Sequence, residues 1–173
     1  MDISFRPVLI DDLPTIIDWQ SAPEVKQWYG KETTGKEQLE KYRKEIEETP
    51  RLTWHYIIQI NGTDAGMIQT YLLSSYPDVG DYVQAGEKAA MVDIFVASKF
   101  MHKGHGSHVM RAFLREYVFS GKLFTADICT IGPEPENLSA IRMYNKAGFK
   151  WTKTVRTLDE TLYIMSINKT EAV

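Results

Sequence analysis

The sequence predicts an α/β (α+β) domain with a mixed central sheet and helices on its faces, and three observations predict it. The apolar patterns fall in the order β, α, α, three strands, then α-β-α-β-β. Asn61-Gly62 sits between two apolar runs, a strong signal for a tight hairpin. An apolar strand feeds a glycine turn and then a helix between Val92 and Phe119. With 173 residues, 43% of them hydrophobic and 25% charged, the expectation is one domain spanning residues 1–173.

Each element has its own signal. Ser4 to Leu9 is a short strand. Asp11 is placed to cap a helix to about Gln20, with Pro14 tolerated in its first turn. Ala22 to Trp28 adds a short helical turn, closed by Trp28-Tyr29-Gly30. Thr34-Gly35-Lys36-Glu37 reads as a capping box for a helix to about Glu48, stopped by Pro50. Thr53–Ile60 and Gly66–Leu73 are the hairpin strands, and Ser74 to Lys88 reads as a loop. Ala90–Val96 is a strand with one charge, Asp93. A helix from Gly104 to about Phe119 follows, with apolar residues at helical spacing. Then come a strand at Phe124–Thr130 and a helix from Asn137 to Ala147 that stops at Gly148. Phe149–Arg156 and Leu162–Asn168 close the chain as a β pair.

Composition narrows the function. The net charge of −3 offers no basic excess for a phosphate backbone, so nucleic acid is not an expected partner, whereas a cationic small molecule is. No apolar run is long enough to span a bilayer, so no membrane association is expected. A single cysteine, Cys129, excludes an intrachain disulfide and suits a reducing compartment. Met1 to Leu9 lacks the pattern of a signal peptide, and the expected location is the cytoplasm. Nothing in the sequence decides between a monomer and a homodimer.

The chemistry begins at the glycine turn. A turn that opens a helix presents backbone N–H groups with no intrahelical partner, and the helix dipole adds positive potential. Lys103, Gly104, His105, Gly106 and Ser107 therefore form a candidate anion site, with Ser107 as a possible cap. It is neither a P-loop nor the dinucleotide fingerprint, because Val109 stands where the third glycine would be. His102, His105 and His108 are regularly spaced, but Gly104 and Gly106 interrupt them and no Cys or Glu pattern accompanies them. No metal is expected there. On the later helix, Asn137, Ile141 and Tyr144 share one face, with Ile141 read as core.

The glycine turn after a strand, followed by Asn137-Leu138-Ser139-Ala140-Ile141-Arg142-Met143-Tyr144-Asn145-Lys146-Ala147-Gly148-Phe149, resembles the GNAT superfamily of acyl-CoA-dependent N-acyltransferases. Trp28-Tyr29-Gly30, Gly66 to Tyr71, Asp93 and Asp159 are similar to the aminoglycoside 6′-N-acetyltransferases, in order and spacing over nearly the whole chain. The resemblance implies a GNAT-like, mostly antiparallel sheet that splays between the Ala90–Val96 and Phe124–Thr130 strands. It implies acetyl-CoA as cosubstrate. Pantetheine would pair with the backbone of Ile94, Phe95 and Val96, and the pyrophosphate would rest on the Lys103–Ser107 N–H groups beside His105 and His108. Asn137 and Tyr144 would flank the sulfur. Three positions depart from the pattern. Met101 stands where many members carry Gln or Arg, so phosphate recognition is expected to rest on backbone donors. Gly132-Pro133 replaces the Asp-Pro of related aminoglycoside enzymes, and Ser139 replaces a common Arg.

Acetyl transfer needs a deprotonated amine, a donor to the thioester carbonyl and a fate for the thiolate. Asp93, the only acid in an apolar strand, is the candidate base or ammonium anchor. Tyr144 is the candidate acid or a structural neighbour of the sulfur. A backbone N–H near Val96 would polarise the carbonyl. Trp28, Tyr29, Gln69 and Tyr71 are candidate substrate walls, and Asp78, Asp81, Glu87 and Asp159 candidate acids for a polycation. Two other readings fit the same residues: a GNAT acting on a hydroxylamine, a polyamine or a protein N-terminus, and a CoA-binding module without turnover.

Overall fold

Local signals set most of the element ends. The computed structural model describes residues 1–29, 34–83, 85–86, 88–156 and 160–172, apart from the side chains of 81 and 82. Seven strands form one sheet: β1 (Ile3–Pro7), β2 (Thr53–Ile60), β3 (Thr63–Leu72), β4 (Ala89–Val96), β5 (Ile128–Ile131), β6 (Lys150–Arg156) and β7 (Thr161–Asn168). Their hydrogen-bonded order is β1-β2-β3-β4-β5-β7-β6, and the sheet is mostly antiparallel. The helices are α1 (Leu13–Ser21), α2 (Pro23–Lys26), α3 (Gly35–Glu47), α4 (Pro77–Val83), α5 (Gly106–Phe113) and α6 (Leu138–Ala147).

The chain forms two compact units, each built from two stretches. The first takes in Met1–Gln69 and Asp93–His105. Its core gathers Val8, Leu13, Ile16, Val25, Tyr42, Ile57, Met67 and Phe95. The expected capping box opens α3: Thr34 Oγ1 accepts the Glu37 N–H, and Glu37 Oε2 accepts the Thr34 N–H at 2.7 Å. At α1 the cap differs from expectation. Asp12, not Asp11, turns back, and its Oδ2 accepts the Leu9 N–H at 2.8 Å to hold a 3-10 turn before the helix. Arg6 fixes that carboxylate with two bonds, at 2.7 and 2.9 Å, and also reaches Asp64 Oδ2 at 2.6 Å. Gly66 carries no side chain because a Cβ there would lie 2.3 Å from the Phe95 carbonyl.

The second unit takes in Thr70–Val92 and Gly106–Val173. Part of its core gathers Leu73, Val83, Ala89, Met91, Leu162 and Ile164. Here β4 and β5 pair in parallel, Ala89 with Ile128, Ala90 with Cys129 and Met91 with Thr130. β4 itself runs on to Val96.

Several boundaries move. The expected loop at Ser74–Lys88 contains α4, started by Pro77 with Asp78 in its first turn. β3 begins at Thr63, extending the hairpin to its turn. The expected Gly104–Phe119 helix begins at Gly106 and passes into a π turn at Leu114–Val118, where the Phe119 N–H donates to the Leu114 carbonyl. The expected Phe124–Thr130 strand is shorter. Pairing starts where the Asp127 N–H donates to the Lys88 carbonyl, and Ala126 is buried without joining the strand. Apolar character marks burial there, not pairing.

Candidate active site

Asp93 stands half-buried on β4. Gln69 of β3 is 6% exposed, and its Nε2 donates to Asp93 Oδ2 at 2.9 Å. Burial pushes the Asp93 carboxyl above the usual carboxylate range. The Gln69 bond pulls it back down in part. An acid so placed holds its proton more readily than a surface aspartate, which suits a group that must gain and lose one. Gln69 Oε1 is buried with no hydrogen-bond partner among the described residues.

The same unit holds a polar cluster that the sequence did not single out as a group. Gln20 Nε2 donates to the Tyr42 hydroxyl at 2.7 Å, which is also hydrogen-bonded to Tyr29. Burial pushes the Tyr42 phenol up to about 12. Tyr42 stands edge-on to His55 at 5.5 Å, and His55 Nε2 meets Glu45 Oε2 at 2.9 Å. The available signal was the run Gln38, Tyr42, Glu45, spaced four and three apart on one face of α3. Tyr29, a predicted substrate wall, lays its ring edge on Phe95 at 5.1 Å, while Trp28 is 37% exposed. Gly30, Glu87 and Asp159 lie outside the described residues, as does the Asp81 side chain.

On the predicted coenzyme segment, Phe95 is buried, and Ile94 and Val96 are half-buried. Beyond the strand, His102 and Gly104 adopt left-handed backbone, with φ of 58° and 78°. A Cβ on Gly104 would meet nothing within 4 Å, so this backbone is open to approach. Lys103 and Gly104 are exposed and His105 is half-buried. Lys99 and Lys103 both reach the Phe100 ring, at 5.1 and 5.8 Å. Met101 packs against the apolar core, which accounts for its departure from Gln or Arg.

In the second unit, Gly106 opens α5 and Ser107 is buried within it, so Ser107 is not the cap the sequence suggested. A Cβ on Gly106 would fall 2.8 Å from Met143 Cγ, so this glycine serves the packing of α5 on α6. His108 is exposed. Asn137 caps α6, its Oδ1 accepting the Ala140 N–H at 3.1 Å. Tyr144 is 7% exposed and stands edge-on to Phe149 at 5.9 Å, while Ile141, expected in the core, is half-buried. Tyr71 donates its hydroxyl to Met91 Sδ at 3.3 Å, and Asp78 is exposed on α4. Gly132 has room for little: its Cβ would lie 3.2 Å from Ile164 Cδ1. Among the described residues no group of His, Cys, Asp or Glu is arranged to hold a metal ion, and no helix is long and apolar enough to cross a membrane.

A family model described as acetyltransferase (GNAT) domain matches residues 9–157. The chain belongs to this family. As a GNAT domain it is an N-acetyltransferase. It is 28% identical over 161 residues to aminoglycoside N(6')-acetyltransferase type 1 of Klebsiella pneumoniae, covering 91% of this chain and 78% of that one. The Serratia marcescens enzyme of the same name matches equally. Among solved structures, AAC(6')-Ib in complex with paromomycin and acetyl-CoA superposes with a TM-score of 0.78 at 24% identity, covering 99% of this chain and 96% of that one. Spermidine N-acetyltransferase from Vibrio cholerae, in complex with CoA and spermine, superposes with a TM-score of 0.73 at 15% identity, covering 98% and 97%. These structural likenesses establish the GNAT fold of the domain.

Proposed function

We propose that this GNAT domain, residues 1–173 read as one catalytic domain, transfers the acetyl group of acetyl-CoA to a primary amine of a small cationic substrate. The first candidate is an aminoglycoside 6′-amine, attacked within a ternary complex. The observation that carries the proposal is the tethered acid: Asp93, half-buried on β4 and held by the Gln69 amide. The aminoglycoside enzymes among the relatives support the substrate class. Cys129, the single cysteine, is buried and in no disulfide, which supports work in the cytoplasm.

The residues fit the coenzyme. Ile94, Phe95 and Val96 lie past the part of β4 that pairs with β5, which leaves their backbone suited to pantetheine. The left-handed Gly104, with room around it, and its chain neighbours Lys103, His105 and Gly106 suit the pyrophosphate, and Ser107, His108 and Asn137 are the further residues proposed to contact the coenzyme. Acetyl-CoA supplies the thioester. Asp93 Oδ2 is occupied by Gln69, so Oδ1 is the atom that anchors the ammonium and takes its proton. The Val96 N–H polarises the carbonyl, and the Tyr144 hydroxyl returns a proton to the departing thiolate. Trp28, Tyr29, Gln69 and Tyr71 wall the amine side, and Asp78, Asp81, Glu87 and Asp159 supply negative potential for a cation.

One observation favours a second substrate, a linear polyamine. Gly132 stands where an aspartate would have to displace Ile164, so the acid expected to read an aminoglycoside is missing from that position. Thiol release from acetyl-CoA, measured against kanamycin-type aminoglycosides, spermidine and simple amines, tests both. Turnover on aminoglycosides is expected. Turnover on spermidine alone replaces the first reading with the second, and no turnover on any amine overturns both.

A further inference from the structure

Two lysines of the first unit converge on one aromatic ring. Lys99 Nζ lies 5.1 Å from the centroid of the Phe100 ring, and Lys103 Nζ lies 5.8 Å from it. Both lysines are exposed and the ring is half-buried. A cation over a ring face is attracted by its quadrupole, so the ring draws each ammonium group in. The backbone between them is turned for this. His102 takes a left-handed φ of 58°, which costs a non-glycine residue energy, and Gly104 follows with a φ of 78°. An extended chain would carry Lys103 away from a ring three positions earlier. The Glu24 carboxylate meets this turn at the Ser98 hydroxyl, at 3.3 Å. Among the described residues no ion pair links a carboxylate to either lysine. Like charges gathered at one ring repel each other, and an anion joining them removes that cost.

We propose that Lys99 and Lys103, gathered by Phe100, form a second anion subsite that holds the 3′-phosphate of the coenzyme's nucleotide. The inference rests on acetyl-CoA being the cosubstrate. CoA carries two separate anionic groups, a pyrophosphate and a phosphomonoester on the ribose. The open backbone at Gly104 suits the pyrophosphate, and Met101 brings no charge to it because its side chain packs into the apolar core. The phosphomonoester is close to a dianion at neutral pH, which matches two ammonium groups. Lysine suits it as a compact charge on a flexible stem, able to meet an exposed phosphate without a fixed geometry. Phe100 is a positioning residue, since its ring holds the two cations together before the coenzyme arrives. The consequence is a preference: the domain distinguishes CoA from the same molecule without its 3′-phosphate.

Isothermal titration of the full chain with CoA and with 3′-dephospho-CoA tests this without turnover. The wild type should bind CoA about tenfold more tightly, the worth of two exposed charge contacts. Lys99→Met and Lys103→Met should each weaken CoA about threefold or more while changing 3′-dephospho-CoA by less than about twofold. Both positions are exposed, so the variants should fold, and their melting temperatures check it. The preference should shrink as salt rises. Phe100→Leu should cut it and Phe100→Tyr should keep it, and an uncut preference in Phe100→Leu overturns the role of the ring. Equal affinity of the wild type for the two ligands overturns the proposal. So does a loss that falls equally on both ligands in either lysine variant. If the wild type binds neither ligand, the coenzyme reading itself fails, which separates the two failures.

Discussion

The Gln69 amide donates to Asp93 Oδ2 at 2.9 Å, and its own Oε1 is buried with no donor among the described residues. An amide in this setting can satisfy both its ends only when a donor arrives. An ammonium supplies one, and its N–H groups can serve Asp93 Oδ1 and Gln69 Oε1 together. Gln69→Leu removes the donor that holds the Asp93 carboxyl down. Its acid limb in kcat/KM should move to higher pH, with KM for the amine raised more than KM for acetyl-CoA. Steady-state kinetics across pH checks both.

Asp93→Asn should cost about 10²-fold or more in kcat/KM, the scale of general base catalysis. It should also stabilise the fold at neutral pH. The carboxyl is raised in the folded state, so its stabilising contribution is complete only below the unfolded value and is lost as pH rises through the folded one. At neutral pH the buried charge is a cost, which asparagine removes while still accepting from Gln69. Urea unfolding should show a gain at pH 7 that shrinks towards pH 4. A loss at pH 7 would contradict the burial argument.

Arg6 joins β1 to Asp12 and Asp64. Hydrogen bonds from Arg6 hold both carboxyls below their ordinary values, so their contribution is present at neutral pH and is lost as pH falls through the folded values. Arg6→Gln should cost about 1–2 kcal/mol at pH 7, given the bidentate geometry and partial exposure. The same comparison near pH 2 should show little difference.

Gly106→Ala should destabilise the fold by about 1–2 kcal/mol, because the new methyl meets Met143. Met143→Ala should relieve it, giving a measurable coupling in a double-mutant cycle. Isothermal titration with acetyl-CoA then asks the separate question. The relieved double variant should fold normally and still bind more weakly, because a Cβ now stands at the turn.

Asn137 has a structural duty that competes with its expected coenzyme role. Asn137→Ser keeps an N-cap and should leave the melting temperature nearly unchanged, while Asn137→Ala should cost about 1 kcal/mol. KM for acetyl-CoA should rise several-fold in both. An unchanged KM in the serine variant would reduce Asn137 to a cap.

What could be read from the sequence was local. Thr34 and Glu37 lie in one turn, Asn61-Gly62 fixes its own hairpin, and Gly148 ends α6 with a φ of 108° that only nearby geometry demands. The Gly106 role was half legible: its place before a helix was visible, but Met143 reaching it from α6 was not. The same holds for His55. Its contacts come from α3, and nothing in its own strand announces Glu45 or Tyr42. α4 was missed because glycine, proline and acids dominate Ser74–Lys88, and Leu73, Val79 and Val83 packing into one apolar cluster is what turns Pro77–Val83 into a helix.

Neither compact unit is a single run of chain, and this governs how the molecule can be made. Met1–Gln69 leaves the ribosome lacking Asp93–His105, the stretch that completes its own unit. Until that stretch emerges, Gly66 has no Phe95 carbonyl to press against and Gln69 has no Asp93 to hold. A nascent chain halted before β4 therefore presents an unfinished sheet edge, and the acid at the centre of the proposed chemistry is among the residues whose arrival closes it.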